Sequence, residues 1–156
     1  MRSGSCGVRG GPRTVVMSEE PRGGPSLGHE KRRELLETVA TAAGYLDRVP
    51  AVFRCGLRPD VWRLRRESWV VFIGEAKETE RPTCKETRER LMAYVAWLLK
   101  ARPRAAVLAV CFGRGEDAEG WGEVLCTLTS KISEETTLTY RSIDPETHLA
   151  WIYVGM

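Results

Sequence analysis

The sequence predicts an α/β fold: a mixed central sheet with helices on its faces. Three observations predict it. Helical periodicity opens the folded part and returns twice, short strand-like runs separate those segments, and one apolar run at 105–112 is unbroken, as in a strand covered on both faces. The first helix should start near His29, where Leu35, Leu36, Val39, Ala42 and Ala43 form one stripe and Gly44 is placed to end it. Residues 51–55 read as a short strand broken by Gly56. Residues 61–64 and 69–76 read as two more, joined by the polar Arg65-Arg66-Glu67-Ser68. Thr83 and Glu86 have the spacing of a capping box, so a helix should follow, with Leu91, Met92, Val95, Leu98 and Leu99 buried and Pro103 beyond its end. After the strand at 105–112, closed by Gly113, a third helix is expected around Trp121, Val124, Leu125 and Leu128. Residues 138–143 and 149–154 should close the chain as a hairpin turned at Asp144-Pro145-Glu146-Thr147. The order is α-β-β-β-α-β-α-β-β, with no internal repeat.

Composition narrows the classes. At 156 residues, the chain can bury the core of one domain, expected at 29–156. Residues 1–28 hold seven Gly, four Arg, four Ser and three Pro, a composition that cannot offset the entropy of ordering, so a disordered tail is expected there. No apolar run is long enough to span a membrane, and the N-terminus has no signal-peptide core, so a cytoplasmic protein is expected. The five cysteines are scattered without a CxxC pair, which argues against both a zinc site and a disulfide framework. Residues 29–156 carry twenty Lys and Arg against nineteen Asp and Glu, so affinity for nucleic acid must come from a local patch. Arg48, Arg54, Arg58, Arg63, Arg65 and Arg66 supply one, with only Asp47 and Asp60 among them.

The chemistry concentrates on the hairpin that carries Asp60, Glu75 and Lys77. Side chains alternate along a strand, so Val71, Ile73, Glu75 and Lys77 share a face with Trp69. A turn centred on Arg66-Glu67 sets Asp60 opposite Ile73 and diagonally beside Glu75, roughly 5–8 Å away between Cβ atoms. Slipping the register by one residue would move Asp60 to the other face. Two carboxylates and an ammonium gathered together are costly unless a cation offsets them, and a hard divalent ion takes one or two carboxylates while keeping waters or phosphate oxygens. Such a metal polarises a phosphate and lowers the pKa of bound water, while Lys77 stabilises the developing charge. The competing reading is a surface Glu75–Lys77 pair with Asp60 ending a turn. It must explain why two charges follow Val70-Val71-Phe72-Ile73-Gly74.

With Pro59-Asp60 followed by Glu75-Ala76-Lys77, the chain resembles the PD-(D/E)xK nuclease superfamily, whose restriction-endonuclease-like αβββαβ core matches the pattern over residues 29–112. The resemblance implies Asp60 and Glu75 as metal ligands, with the Ala76 carbonyl beside them and Lys77 as the catalytic lysine. It further implies Mg²⁺, with Mn²⁺ as a substitute, and a nuclease acting on DNA rather than RNA in repair, recombination or defence. A non-catalytic nucleic-acid- or partner-binding module on the same fold is the alternative. The run Gly28-His29-Glu30-Lys31-Arg32-Arg33-Glu34-Leu35 is similar to the start of Holliday-junction resolvases, but Arg32 stands where they have Glu. Arg90-Leu91-Met92-Ala93-Tyr94 is similar to the Q-x-x-x-Y of RecB-type nucleases, with Arg replacing Gln. Arg58, Arg65, Arg66, Arg88 and Arg90 are the candidates for nucleic-acid contact, with Arg88 expected on the buried side of its helix. His29 and His148 read as surface or cap residues, and the five tryptophans read as core. A homodimer is expected if the substrate is duplex or branched DNA, with the closing hairpin as its contact.

Overall fold

A computed structural model describes residues 27–156. The expectation for residues 1–28 therefore lies almost wholly outside the described part. Helix α1 (Leu27–Ala42) leads to β1 (Asp47–Arg48), a 3₁₀ turn (Ala51–Phe53), β2 (Val61–Arg65) and β3 (Val70–Lys77). Then come α2 (Lys85–Ala101), β4 (Ala105–Phe112), a second 3₁₀ turn (Gly115–Asp117), α3 (Ala118–Thr129), β5 (Thr136–Asp144) and β6 (Thr147–Gly155). The strands form one six-stranded sheet in the order β1-β2-β3-β4-β6-β5. Only β3 and β4, joined through α2, run parallel; the other neighbours are antiparallel. The architecture is thus α/β with a mixed open sheet, as expected.

The alternation of side chains divides the core into two layers. Val71 and Ile73 of β3, Leu108 and Val110 of β4 and Ile152 of β6 pack against α2 and α3. Phe72, Ala109 and Leu149 face the other way, toward Leu36 and Ala40 of α1. Both faces of β3 and β4 are buried along their whole length, so β4 reads as a continuous apolar run, as does β3 up to the buried Glu75 and Lys77. Burying each large aliphatic side chain contributes about 1.5–3 kcal/mol, which makes β3 and β4 the rigid centre on which the site is mounted.

Several local expectations are corrected. Residues 51–55 are not a strand. Pro50 leads into i→i+3 turns closed by Phe53 N–H to the Pro50 carbonyl and Arg54 N–H to the Ala51 carbonyl, and Cys55 and Gly56 then take positive φ. The first strand lies earlier, where Asp47 and Arg48 pair with Leu64 and Arg63. Thr83 does not cap α2, because a turn closed by Cys84 N–H to the Arg81 carbonyl holds it two residues before the helix, and no side chain caps the start. The buried stripe of α2 runs through Leu91, Tyr94, Val95, Trp97 and Leu98, leaving Met92 and Leu99 exposed. Trp69 is outside the core at 39% exposure and φ +54°. Finally, β6 is an interior strand held between β4 and β5. Of the closing hairpin expected as a dimer contact, β5 therefore lies at one edge of the sheet, with β1 at the other.

Candidate metal and nucleic-acid site

β2 and β3 form a hairpin whose loop is residues 66–69, since Arg65 pairs with Val70. Trp62 then lies opposite Ile73 and Val61 opposite Gly74. One step further out, Asp60 falls opposite Glu75, where a turn at Arg66-Glu67 would have set it opposite Ile73. The shift is of two positions, so Asp60 keeps the same face and moves from diagonal to opposed. β2 begins at Val61, and the Asp60 carboxylate just before it continues its ladder: the Ala76 amide donates to Oδ2 at 2.8 Å. In an extended strand the N–H and C=O of one residue leave on the same side. The Ala76 carbonyl therefore also faces the side where Asp60 lies.

Glu75 is 1% exposed. Tyr94, projecting from the buried face of α2, donates its hydroxyl to Glu75 Oε2 at 2.5 Å. The other oxygen, Oε1, makes no hydrogen bond, and faces Lys77 Nζ at 3.4 Å and Arg90 Nη1 at 3.5 Å. Burial pushes the Glu75 carboxyl above the ordinary glutamate range, and the Asp60 charge pushes it further; Tyr94, Lys77 and Arg90 oppose the rise. The Tyr94 hydroxyl is raised too, first by its own burial and then by Glu75. Lys77, two residues on and on the same face, is 6% exposed. On the outer side His29 Nε2, from the first turn of α1, stands 3.4 Å from Asp60 Oδ2.

The structure therefore brings Asp60, Glu75, Ala76 and Lys77 together, and adds Tyr94 and His29, together with Arg90, which the sequence offered only as a nucleic-acid contact. Arg90 and Tyr94 are four apart, so one helix face presents both to Glu75; that spacing was the signal. His29 carried no comparable signal. Arg32, in the position compared with a resolvase glutamate, is buried and donates from Nη2 to the Glu146 carbonyl at 2.8 Å in the β5–β6 turn. Its guanidinium occupies space beside Gly113, where a Cβ would come within 2.5 Å of Nη2. Glu30 pairs with Arg33, and Glu34 is exposed. His148 is buried rather than superficial, stacked on Phe112 and bonded to Tyr140 and to the Pro145 carbonyl.

The arginines separate into groups. Arg48, Arg54, Arg58 and Arg63 line a cavity of about 450 Å³, with Asp60 and Glu37 in its wall. Arg65 and Arg66 are at the opposite end of β2, roughly 13 Å along the strand. Arg65 stacks on Tyr45 and donates to the Ala43 carbonyl, and Arg66 pairs with Asp47. Arg88 is exposed rather than buried, beside Gly120 and Glu123 in a depression between α2 and α3.

No family model matches this chain. Curated proteins and solved structures likewise provide no significant match. Among the described residues, no helix is long and apolar enough to cross a membrane, and no three His, Cys, Asp or Glu side chains gather as a metal-ligand group. The local chemistry is that of two carboxylates and a carbonyl on one side of a strand end, a donor set that suits a hard cation keeping several waters.

Proposed function

We propose that the chain is a metal-dependent nuclease hydrolysing phosphodiester bonds of DNA, on a core of the restriction-endonuclease-like αβββαβ type. The observation that carries this reading is Asp60 facing Glu75 across the end of the β2–β3 hairpin, with the Lys77 ammonium on the same face, 3.4 Å from Glu75. The order from α1 to β4, with three antiparallel strands before the helix and one parallel strand after it, supports the core type.

The residues fit a Mg²⁺ or Mn²⁺ ion. Glu75 Oε1 is a buried carboxylate oxygen with no hydrogen bond, and its companion Asp60 raises the cost of ionising it, which a cation would reverse. Asp60, Glu75 and the Ala76 carbonyl would hold the ion. Bound there, it would polarise a phosphate oxygen and lower the pKa of a water. The chain's own groups do the rest. Tyr94 fixes the orientation of Glu75 by its hydroxyl, and the Ala76 amide fixes Asp60. Lys77, held on its strand and almost closed to solvent, stabilises negative charge developing on the phosphate. Arg90, half exposed, offers a second positive charge on the open side.

Arg32 favours a second reading, a non-catalytic binding module, because a buried basic residue stands where a further acidic ligand would be expected. Titration with Mn²⁺ and cleavage of labelled DNA and RNA separate the two. The nuclease requires one ion bound per chain and cleavage lost in Asp60→Asn. Absence of both metal binding and cleavage over a broad range of conditions would overturn it. Metal-independent DNA binding unaffected by Lys77→Ala would establish the module.

A further inference from the structure

The cavity beside Asp60 shares only that residue with the metal site, and the rest of its lining is unusual. Arg48 and Arg63 are Cα partners on adjacent strands β1 and β2. Like charges placed opposite each other on a sheet are destabilising, so folding alone does not favour this pair. Glu37 takes Arg63 in a tight ion pair. Arg54 uses its Nε on the Val49 carbonyl. Arg48 and Arg58 are exposed, and neither has an ion pair or a side-chain hydrogen bond among the described residues. Four arginines thus face two carboxylates in one concavity, within a folded part that is otherwise nearly neutral. The aromatic ring in the lining offers no platform for a base, because Trp62 is 8% exposed and set edge-on to Trp97 in the core. A cavity of about 450 Å³ is in the range of small-ligand sites. It is large enough to seat the backbone of one strand.

We propose that this cavity binds phosphates of a single nucleic-acid strand, without regard to base, and seats that strand on the Asp60 side of the metal site. The assignment rests on the nuclease reading for its biological purpose, but the binding it describes needs no metal and no cleavage. Arg48 and Arg58 are the guanidinium groups with donors to spare, and each takes one phosphate. Arg63 and Arg54, held by Glu37 and by the backbone, shape the wall between them.

The test uses the full chain in EDTA and a labelled single-stranded DNA oligonucleotide, with binding followed by fluorescence anisotropy across a salt series. Each phosphate contact on a single strand contributes about 0.7 to the slope of log affinity against log salt. The Arg48→Gln/Arg58→Gln double variant should therefore lose about 1.4 from that slope and bind about 25-fold more weakly near 0.1 M salt. Its melting temperature should not fall, because neither side chain has a partner. Unchanged affinity and slope in the double variant would overturn the proposal. So would equal affinity for the matching duplex with the same loss of slope, or full displacement of the strand by inorganic phosphate at equal phosphate concentration, which would make this a free-anion site. Strand binding lost in the double variant, in a protein that cuts nothing, would keep the cavity and remove the nuclease. Cleavage and binding that are both indifferent to the double variant would do the reverse.

Discussion

Tyr94→Phe removes one oxygen from the core and tests whether Glu75 is a buried carboxylate held for a purpose. Among the described residues the hydroxyl is the one hydrogen-bond donor to the Glu75 side chain, at 2.5 Å, and both residues are 1% exposed. Phenylalanine keeps the packing of the ring, so the change is confined to that bond. Hydrogen bonds to charged groups contribute about 1.5–3 kcal/mol, which for a domain of this size is roughly 5–10 °C in Tm. The loss depends on pH, and its sign follows from the direction of the shift. The folded carboxyl of Glu75 already titrates above its unfolded value, chiefly through burial, and the Tyr94 hydroxyl holds it down. Deleting that donor raises it further. A group of this kind stabilises the fold fully below its unfolded pKa and loses that contribution as pH rises through the folded pKa. The variant goes on losing stability after the wild type has stopped, so the gap between them widens with rising pH. Thermal melts in EDTA at a series of pH values from 5 to 9 measure it (about 1.36 kcal/mol per pH unit within the window). A gap of equal size at every pH would mean that Glu75 keeps one protonation state throughout, and would refute the reasoning.

Further outcomes follow from the same geometry. Asp60→Asn, Glu75→Gln and Lys77→Met should each abolish phosphodiester cleavage in a gel assay while far-UV circular dichroism stays unchanged; cleavage surviving in any of them removes that residue from the chemistry. Mn²⁺ at about a hundred times its Kd should stabilise the wild type by about 2.7 kcal/mol, and not Asp60→Asn. That affinity should fall as pH is lowered, because the raised Glu75 carboxyl must lose its proton to solvent before it can bind the metal; calorimetry showing no proton release would count against Glu75 as a ligand. Gly113→Ala should cost about 1–3 kcal/mol by displacing the buried Arg32 guanidinium from the Glu146 carbonyl. The same cost in an Arg32→Ala background would place the strain elsewhere.

How much of this was legible in the sequence depended on the range of the interaction that decides each element. β4 was legible because both of its faces are buried, and an apolar run needs no neighbour to identify it. The closing hairpin was legible from Asp144-Pro145-Glu146, which turns there. The buried stripe of α2 is wider than the apolar pattern shows because Met92 and Tyr94 lie on opposite flanks of Leu91 and Leu98, and Tyr94 is on the flank that meets Glu75, nineteen residues away on another element. The first strand was misplaced for a similar reason. Ala51, Val52 and Phe53 are apolar but exposed, while Asp47 and Arg48 are polar and paired, since two residues at a sheet edge are chosen by the partner strand β2 and not by their own propensity. Of the site, the carboxylates and Lys77 lie on one hairpin and could be read locally. The Arg48–Arg63 neighbours required the sheet.

The hairpin loop shows why a register mistaken in detail still located Asp60 on the correct face. Trp69 reads as the first residue of β3, and on that reading the loop is centred on Arg66-Glu67. In the structure Trp69 belongs to the loop: φ is +54°, its amide donates to the Arg66 carbonyl, and its carbonyl accepts from the Arg104 amide. A bulky residue rarely adopts that conformation, and here the backbone bond to the segment entering β4 holds it. Moving Trp69 out of the strand shifts the partner of every β2 residue by two, from Asp60–Ile73 to Asp60–Glu75. An even shift preserves faces, so Trp62 and Leu64 stay in the layer beneath α2 and Asp60 stays beside Glu75. An odd shift would have turned both Asp60 and Trp62 toward α1, and the fold resists that by the burial of the indole beneath α2, about 3–5 kcal/mol by the cost of truncating it. The core tryptophan thus holds the carboxylate in place: the register that buries Trp62 is the register that opposes Asp60 to Glu75.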